Sequence, residues 1–198
     1  MKQLLLISTL FSLLNCNTPI EKKQENKLNR HEIYEVIKTI VNDDKILQYT
    51  NDPNKTKICF ELNRLNIYVP VMTKDGPQIP PKQPATSILS LLYQQRDSLF
   101  QLKDSVFLLE QNNTPPVFKL DSSLKIKNAF VTKEEINKPG NQSAFYTMTI
   151  PVFSSDYQTA YIELNYYCGA LCGHGLSIYL KKRNNYWQIF DIHQKWIA

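Results

Sequence analysis

Cysteine and histidine side chains lie close together in residues 168–174, CGALCGH, of this 198-residue chain. Residues of these types at this spacing can bind a metal ion, act as a nucleophile with its base, or close a disulfide. The choice depends on which other ligands the chain offers and on the elements that hold the stretch in place.

A metal site would use Cys168, Cys172 and His174 as three ligands. Zinc is commonly held by two Cys or His pairs that are distant from each other in sequence. The remaining cysteines and histidines of this chain are single and scattered, which disfavours a metal site. The fourth ligand would have to be one of Cys59, His31 and His193.

A nucleophilic site would pair Cys172 with His174. In a strand, residues two apart point to the same face, so the two side chains could touch. Such a site also needs an orienting group, for which Glu163 or Asp191 is available. A redox site is a further alternative, although thioredoxin-like sites have two residues between the cysteines and this pair has three.

The N-terminus predicts export. Lys2 precedes an apolar run over residues 4–14, which is typical of a secretory signal and too short to span a bilayer. The ending Leu13-Leu14-Asn15-Cys16 resembles the lipobox of bacterial lipoproteins, although Asn15 stands where that class has a small residue. The resemblance implies a signal peptide over 1–15, palmitate and other acyl chains on Cys16, and a membrane anchor. We therefore expect a lipid-anchored protein of the cell envelope, at the outer membrane, with a polar tether over 16–29.

An exported protein meets conditions in which disulfides persist. A tight loop that turns through Gly169 can bring Cys168 and Cys172 within bridging distance. The sequence therefore predicts a structural disulfide at the tip of a hairpin, with no metal and no cofactor. Gly173 and Gly175 are expected to supply backbone freedom where the chain re-enters a strand. Cys59, between two apolar residues, is predicted to be a buried free thiol.

Polar residues also alternate on the last predicted strand. Asp191 and His193 would share a face with Trp187 and Ile189, and Glu163 lies on a neighbouring strand. These groups could line a pocket between a helix over 85–99 and the sheet, but a solvated sheet face is the more ordinary interpretation. The candidate ligand-binding residues are His174, His193, Asp191 and Glu163.

One α+β domain is predicted over residues 30–198. A helix over 30–41 follows from apolar residues at helical spacing, with Asn29 as its cap and His31 exposed in its first turn. A second helix is expected over 85–99. Strands are expected over 45–50, 57–62, 65–71, 105–111 and 117–121. The proline-rich composition of residues 70–84 predicts a loop.

The C-terminal half predicts an antiparallel meander. Four alternating segments, 143–153, 157–167, 175–182 and 186–197, are separated by short turns. The expected architecture is an antiparallel sheet with one or two helices packed on one face.

The series Tyr166-Tyr167-Cys168-Gly169, Leu171-Cys172-Gly173 and a final Trp196-Ile197 resembles the C-terminal module of uncharacterised exported proteins of Bacteroidetes-type bacteria. That resemblance covers about the last 50 residues and implies no activity. With 23 Lys and Arg against 18 Asp and Glu and no basic stripe, nucleic-acid binding is excluded. The expected function is a non-enzymatic binding or interaction domain whose partner is a protein or a small molecule. The alternative is a small hydrolase-like enzyme with a pocket near His174, His193 and Asp191.

Overall fold

The computed structural model describes residues 29–47, 56–93, 99–121, 124, 129–138, 140, 143–169 and 171–198. The predicted signal peptide, the predicted lipidation site Cys16 and all but the last residue of the predicted tether lie outside the described residues.

Short helices occur throughout the described residues. The α-helices are α1 (Arg30–Val41), α2 (Asp44–Leu47), α3 (Ile88–Tyr93), α4 (Ser105–Glu110) and α5 (Lys133–Ile136). Two 3-10 turns, Leu102–Asp104 and Gln111–Asn113, flank α4.

Strands make up most of the second half of the chain. The early strands are β1 (Lys57–Cys59), β2 (Glu61–Asn63), β3 (Asn66–Tyr68), β4 (Met72–Thr73), β5 (Gly76–Pro77), β6 (Ala85–Ser87), β7 (Val117–Lys119) and β8 (Phe130–Val131). The later ones are β9 (Phe145–Met148), β10 (Val152–Phe153), β11 (Thr159–Gly169), β12 (Cys172–Arg183) and β13 (Tyr186–Ile197).

Helix α1 has the predicted bounds and the predicted cap. The Asn29 side-chain oxygen accepts a hydrogen bond from the Glu32 backbone N–H at 3.3 Å. The Glu32 carboxylate points to the sheet, where it accepts hydrogen bonds from Lys182 Nζ at 2.5 Å and from Trp187 Nε1 at 2.7 Å. This nearly buried pair fixes the start of α1 against β12 and β13. His31 is exposed, as predicted.

The main sheet has the order β13-β12-β11-β9-β1-β8, with β10 also paired to β11. Strands β11, β12 and β13 form the predicted antiparallel meander. The prediction of a purely antiparallel sheet is wrong, because β1 pairs in parallel with both β8 and β9. Parallel neighbours are joined through long crossover connections, so side-chain alternation within a strand does not reveal them.

Helices cover both faces of the sheet. Successive side chains of a strand point to opposite faces. Ala160, Ile162 and Leu164 pack in one core with α1. Tyr161 and Tyr179 pack in a second core with α3 and α4. The predicted packing on one face alone is therefore incomplete.

Several predicted elements differ in the structure, among them the segment 70–84, predicted as a loop, which contains the antiparallel pair β4 and β5. Residues 105–111 form α4 and not a strand, because Asp104 Oδ2 accepts from the Gln101 backbone N–H at 2.8 Å and caps the turn that leads into the helix. Residues 44–47 form α2 and not the start of a strand. Within the helix expected over 85–99, Ile88–Tyr93 forms α3, whereas Ala85–Ser87 is the strand β6 and pairs in parallel with β3. Residues 94–98 of that prediction lie outside the described residues.

Candidate functional site

A disulfide closes the turn between β11 and β12. Cys168 and Cys172 are joined, with their Cα atoms 5.1 Å apart. Gly169 has a φ of 143°, a conformation open to glycine because it lacks a Cβ. The predicted bridge and the turn through Gly169 are confirmed, and in this bonded state neither sulfur can serve as a nucleophile or a metal ligand.

Replacing both bridging cysteines, Cys168→Ser with Cys172→Ser, is expected to lower the free energy of unfolding by no more than about 2 kcal/mol, because the closed loop is very short. Urea unfolding of the double variant checks this, with reduced wild-type protein as the control. A loss of about 4 kcal/mol or more, the size expected for a loop of about 100 residues, would contradict it.

Gly173 and Gly175 make room for a tryptophan. Neither glycine has a positive φ, so neither uses the backbone freedom that the sequence predicted for it. A Cβ on Gly175 would overlap Nε1 and Cδ1 of Trp196 and lie 2.7 Å from Asn165 Oδ1. The indole crosses the strand at this point and donates from Nε1 to Asn165 Oδ1 at 2.8 Å. The glycines therefore serve close packing, which is a correction to the prediction.

His174 lies on the α1 face of the sheet. It is the register partner of Tyr166, whose ring centroid is 5.4 Å from that of the imidazole. Tyr166 belongs to the core that contains α1. His174 is therefore separated by the sheet from the other three candidate residues, and burial lowers its pKa.

The lowered pKa predicts a pH effect on stability. The unfolded chain takes up a proton near pH 6.5, whereas folded His174 resists protonation until a lower pH, so the stability it contributes is lost as pH falls through that window. His174→Phe should flatten the stability profile between neutral and mildly acidic pH, as measured by urea unfolding at several pH values. His31→Phe, on an exposed site, is the control. An unchanged slope in His174→Phe would contradict the assignment.

A bulge in β13 changes which residues share a face. Leu180 pairs with Ile189 whereas Tyr179 pairs with Asp191, so one extra residue enters β13 between them. Trp187 and Ile189 consequently pack with the α1 core. Asp191 and His193 point to the α3 face, so the prediction that all four share one face is wrong.

A cavity of about 350 Å³ lies on the α3 face of the sheet, next to β6 and α3. We call it the sheet-face pocket. Its volume lies in the range of small-molecule sites. Its lining residues are Thr86, Ser90, Tyr161, Ser177, Tyr179, His193, Gln194 and Lys195.

A buried carboxylate lies beside the sheet-face pocket. Glu163 is 2% exposed, and its Oε1 forms an ion pair with Lys195 Nζ and accepts from Tyr161 OH at 3.1 Å. Tyr161 OH is also 2.9 Å from Ser177 Oγ. Lys195 Nζ donates a second hydrogen bond to the Ala85 carbonyl at 3.0 Å. Lys195, Glu163, Tyr161 and Ser177 thus form one connected chain, which we call the Glu163 network.

Burial within this network changes the pKa of Tyr161. The loss of solvent around Tyr161 and the nearby Glu163 carboxylate both raise the pKa of the phenol far above its usual value. Tyr161 therefore remains protonated and can always donate a hydrogen bond.

His193 lines the sheet-face pocket, and Asp191 pairs with it from outside the lining. His193 Nε2 is 3.1 Å from Asp191 Oδ2, and the two side chains are 50% and 39% exposed. These two residues fit the predicted solvated face, whereas Glu163 does not. The structure thus brings three candidate residues to one face of the sheet, and one of them, His193, lines the cavity.

The sequence did not identify three residues of the Glu163 network as candidate site residues, namely Lys195, Ser177 and Tyr161. Lys195 sits in a second irregularity of β13, where Gly175 pairs with Trp196 and Leu176 with Gln194. The alternating side-chain pattern of a strand sequence does not indicate where such a bulge occurs. The one available signal was Glu163 itself, an acidic residue inside an apolar alternating strand, which requires a cationic partner when buried.

Cys59 is buried, as predicted, and forms no disulfide with another cysteine in the described residues. Its thiol lies 3.7 Å from the Glu61 carbonyl, and burial raises its pKa. The thiol therefore stays protonated and unreactive at neutral pH.

Within the described ranges, no group of three or more His, Cys, Asp or Glu side chains is arranged to hold a metal ion. Nor does any helix in those ranges have the length and apolar character needed to cross a membrane. Comparisons with models of protein families, with curated proteins and with solved structures found no match to this chain.

Proposed function

We propose that this protein is a lipid-anchored protein of the bacterial cell envelope, tethered to the outer membrane through Cys16, whose domain binds a small, uncharged, hydroxyl-rich molecule in the sheet-face pocket. The anchor is supported by the signal-like N-terminus and the lipobox-like ending at Cys16. The binding activity is supported by the chemistry of the pocket.

The pocket lining is rich in hydroxyl groups. Thr86, Ser90, Tyr161, Ser177 and Tyr179 each carry one. A hydroxyl can both donate and accept, so such a lining complements the hydroxyls of a saccharide or a polyol. The lysine ammonium has three donors, and two of them are used within the protein. The third can serve a ligand.

The charges favour an uncharged ligand. The Lys195 charge is already compensated by Glu163. Asp191 adds a carboxylate next to the lining residue His193, which would disfavour an anion. A cation would compete with Lys195 for Glu163. A neutral molecule is not repelled by Asp191 and does not compete with Lys195 for Glu163.

The observation that carries the proposal is the Glu163 network beside a cavity. A buried ion pair is expensive to desolvate, and an apolar pair of the same size often stabilises a fold as well or better. A buried group with a perturbed pKa beside a cleft, as Tyr161 is here, is characteristic of functional sites. Lys195, Tyr161 and Ser177 of the Glu163 network all line the one cavity.

Ligand-induced thermal stabilisation tests the proposal. Glucose, N-acetylglucosamine and myo-inositol serve as separate probes, and at least one is expected to raise the melting temperature. Ser177→Leu, which fills the pocket, should abolish the shift. Gln188→Leu, on an exposed position of β13, is the matched control and should retain it. Absence of any shift, or an equal shift in Ser177→Leu, would overturn the proposal.

A hydrolase is the second candidate, favoured by one specific arrangement. Ser177 is the register partner of His193, which in turn pairs with Asp191. These are the residue types of a Ser-His-Asp triad. However, Ser177 Oγ is hydrogen-bonded with Tyr161 OH, and the His193–Asp191 pair is half exposed. Hydrolysis of p-nitrophenyl esters that is lost in both Ser177→Ala and His193→Gln would establish this candidate in place of binding alone.

A further inference from the structure

One end of the domain carries a basic cleft. The segment 99–106, which leads into α4, the turn at 154–158 and the β12–β13 turn at 183–186 meet there, and we call this the basic end. The cleft between them has a volume of about 430 Å³. Its cationic lining residues are Lys103, Lys181, Lys182 and Arg183.

Three of these cations are available to a partner. Lys182 is held by Glu32. The Lys181 ammonium lies 4.0 Å from the centre of the Phe190 ring, a contact that leaves its charge uncompensated. In the part of the chain that the structure describes, no carboxylate lies within ion-pair distance of Lys103, Lys181 or Arg183.

The two carboxylates of the cleft are engaged by their own loops. Asp104 is buried, and its Oδ1 accepts from the backbone N–H and the hydroxyl of Ser155. Asp156 accepts from Ser154 Oγ at 2.7 Å and from the Gln158 backbone N–H at 3.0 Å. Asp156 is exposed and keeps its negative charge, which lies near Lys103, so the cleft presents Lys103, Lys181 and Arg183 against one exposed carboxylate.

Apolar side chains flank these cations at the same end. Leu102, Val106 and Tyr186 are 71%, 68% and 73% exposed. Cationic residues beside exposed aliphatic and tyrosine side chains are typical of surfaces that lie in the interface of a bilayer. Anionic phospholipids attract such basic groups, and apolar tips enter the headgroup region.

The chain also enters the domain at this end. Asn29 lines a small cavity together with Phe107 and Tyr157. These two residues adjoin Val106 and Gln158 of the basic end in sequence. A tether from Cys16 to Asn29 spans at most about 45 Å when fully extended. Lipidation of Cys16 would therefore keep the basic end within about 45 Å of the membrane.

We infer that the basic end docks on a bilayer surface containing anionic phospholipid, with Lys103, Lys181 and Arg183 on the headgroups and Leu102, Val106 and Tyr186 in the interface. This inference rests on the proposed lipid anchor, which brings the domain to the membrane. It gives the domain a fixed pose, with the basic end toward the lipid.

Vesicle binding tests the inference without the anchor. The chain from residue 16 to 198 carrying Cys16→Ser is mixed with vesicles of phosphatidylcholine alone or with added phosphatidylglycerol, and binding is measured by sedimentation. We expect salt-sensitive binding to the anionic vesicles only. Each cation near the surface contributes about fivefold, so Lys103→Gln, Lys181→Gln and Arg183→Gln together should weaken binding on the order of 100-fold.

The matched control neutralises three exposed lysines elsewhere, Lys74→Gln, Lys82→Gln and Lys138→Gln, and should bind as the parent does. Equal weakening in both triple variants, or no binding to anionic vesicles, would overturn the inference. Soluble glycerol phosphate that competes fully would indicate a site for free phosphate esters instead of a membrane surface. Mass spectrometry of the protein from its own envelope tests lipidation of Cys16 separately, so failure of the anchor and failure of docking are distinguishable.

Discussion

Replacing Lys195 with methionine is expected to lower the free energy of unfolding by about 3 kcal/mol. Glu163 is 2% exposed and its charge is compensated by Lys195. Methionine fills similar space but leaves a buried carboxylate with hydrogen bonds and no counter-charge. Removing one partner of a buried ion pair is much more costly than removing both, because the remaining charge stays desolvated.

Urea unfolding of Lys195→Met at neutral pH measures this effect. Lys103→Met, at an exposed site, is the control and should change stability by less than about 0.5 kcal/mol. The double variant Glu163→Leu with Lys195→Met should recover to within about 1 kcal/mol of wild type, since it buries no charge. A single variant as stable as wild type would show that water reaches Glu163 and that the network is not buried in solution.

Gly175→Ala is expected to be as damaging, at about 3 kcal/mol, although it adds a single methyl group. That methyl would overlap the Trp196 indole and approach Asn165 Oδ1 to 2.7 Å. Overpacking a fixed position costs about 1–3 kcal/mol, and losing the indole hydrogen bond to Asn165 adds about 1 kcal/mol. The indole must move away from the strand to relieve the overlap.

A double-mutant cycle isolates this contact. Trp196→Ala removes the obstacle, so Gly175→Ala in that background should cost less than about 1 kcal/mol. Equal costs of Gly175→Ala with and without Trp196 would contradict the packing role and return Gly175 to the backbone role that the sequence suggested.

Local patterns predicted the local features correctly. The bounds of α1 followed from its apolar stripe and from Asn29, and both are observed. The disulfide followed from the spacing of Cys168 and Cys172 between alternating strands and from the signs of export. These features depend on residues that are close together in sequence, where periodicity and turn chemistry apply directly.

Features that depend on distant partners were not predictable in this way. The run at 105–111 is apolar and short, so its periodicity suits a strand or a helix, and the cap at Asp104 decides for the helix. Parallel pairing of β1 with β9 joins residues almost 90 positions apart. The parallel pairing leaves no mark in the local sequence, whereas Asp104 stands directly before the run and is a local feature that the apolar character of the run outweighed.

The candidate site was predicted in part for the same reason. Glu163, Asp191 and His193 do lie on one face, but the bulge at Ile189–Asp191 moves Trp187 to the other face. His174 falls on the opposite side of the sheet, beside Tyr166. Lys195 reaches Glu163 only because β13 is irregular near its end. Bulges thus decide which side chains meet.

Amide chemical-shift mapping by NMR tests the proposed binding site most directly. In titrations with glucose, N-acetylglucosamine and myo-inositol, we predict that at least one probe shifts the amides of residues 85–90, 161–163, 177–179 and 193–195. The same probe should leave those amides unmoved in Ser177→Leu. Shifts confined to other parts of the chain, or no shifts with any of the three probes, would contradict a small-molecule site beside Glu163.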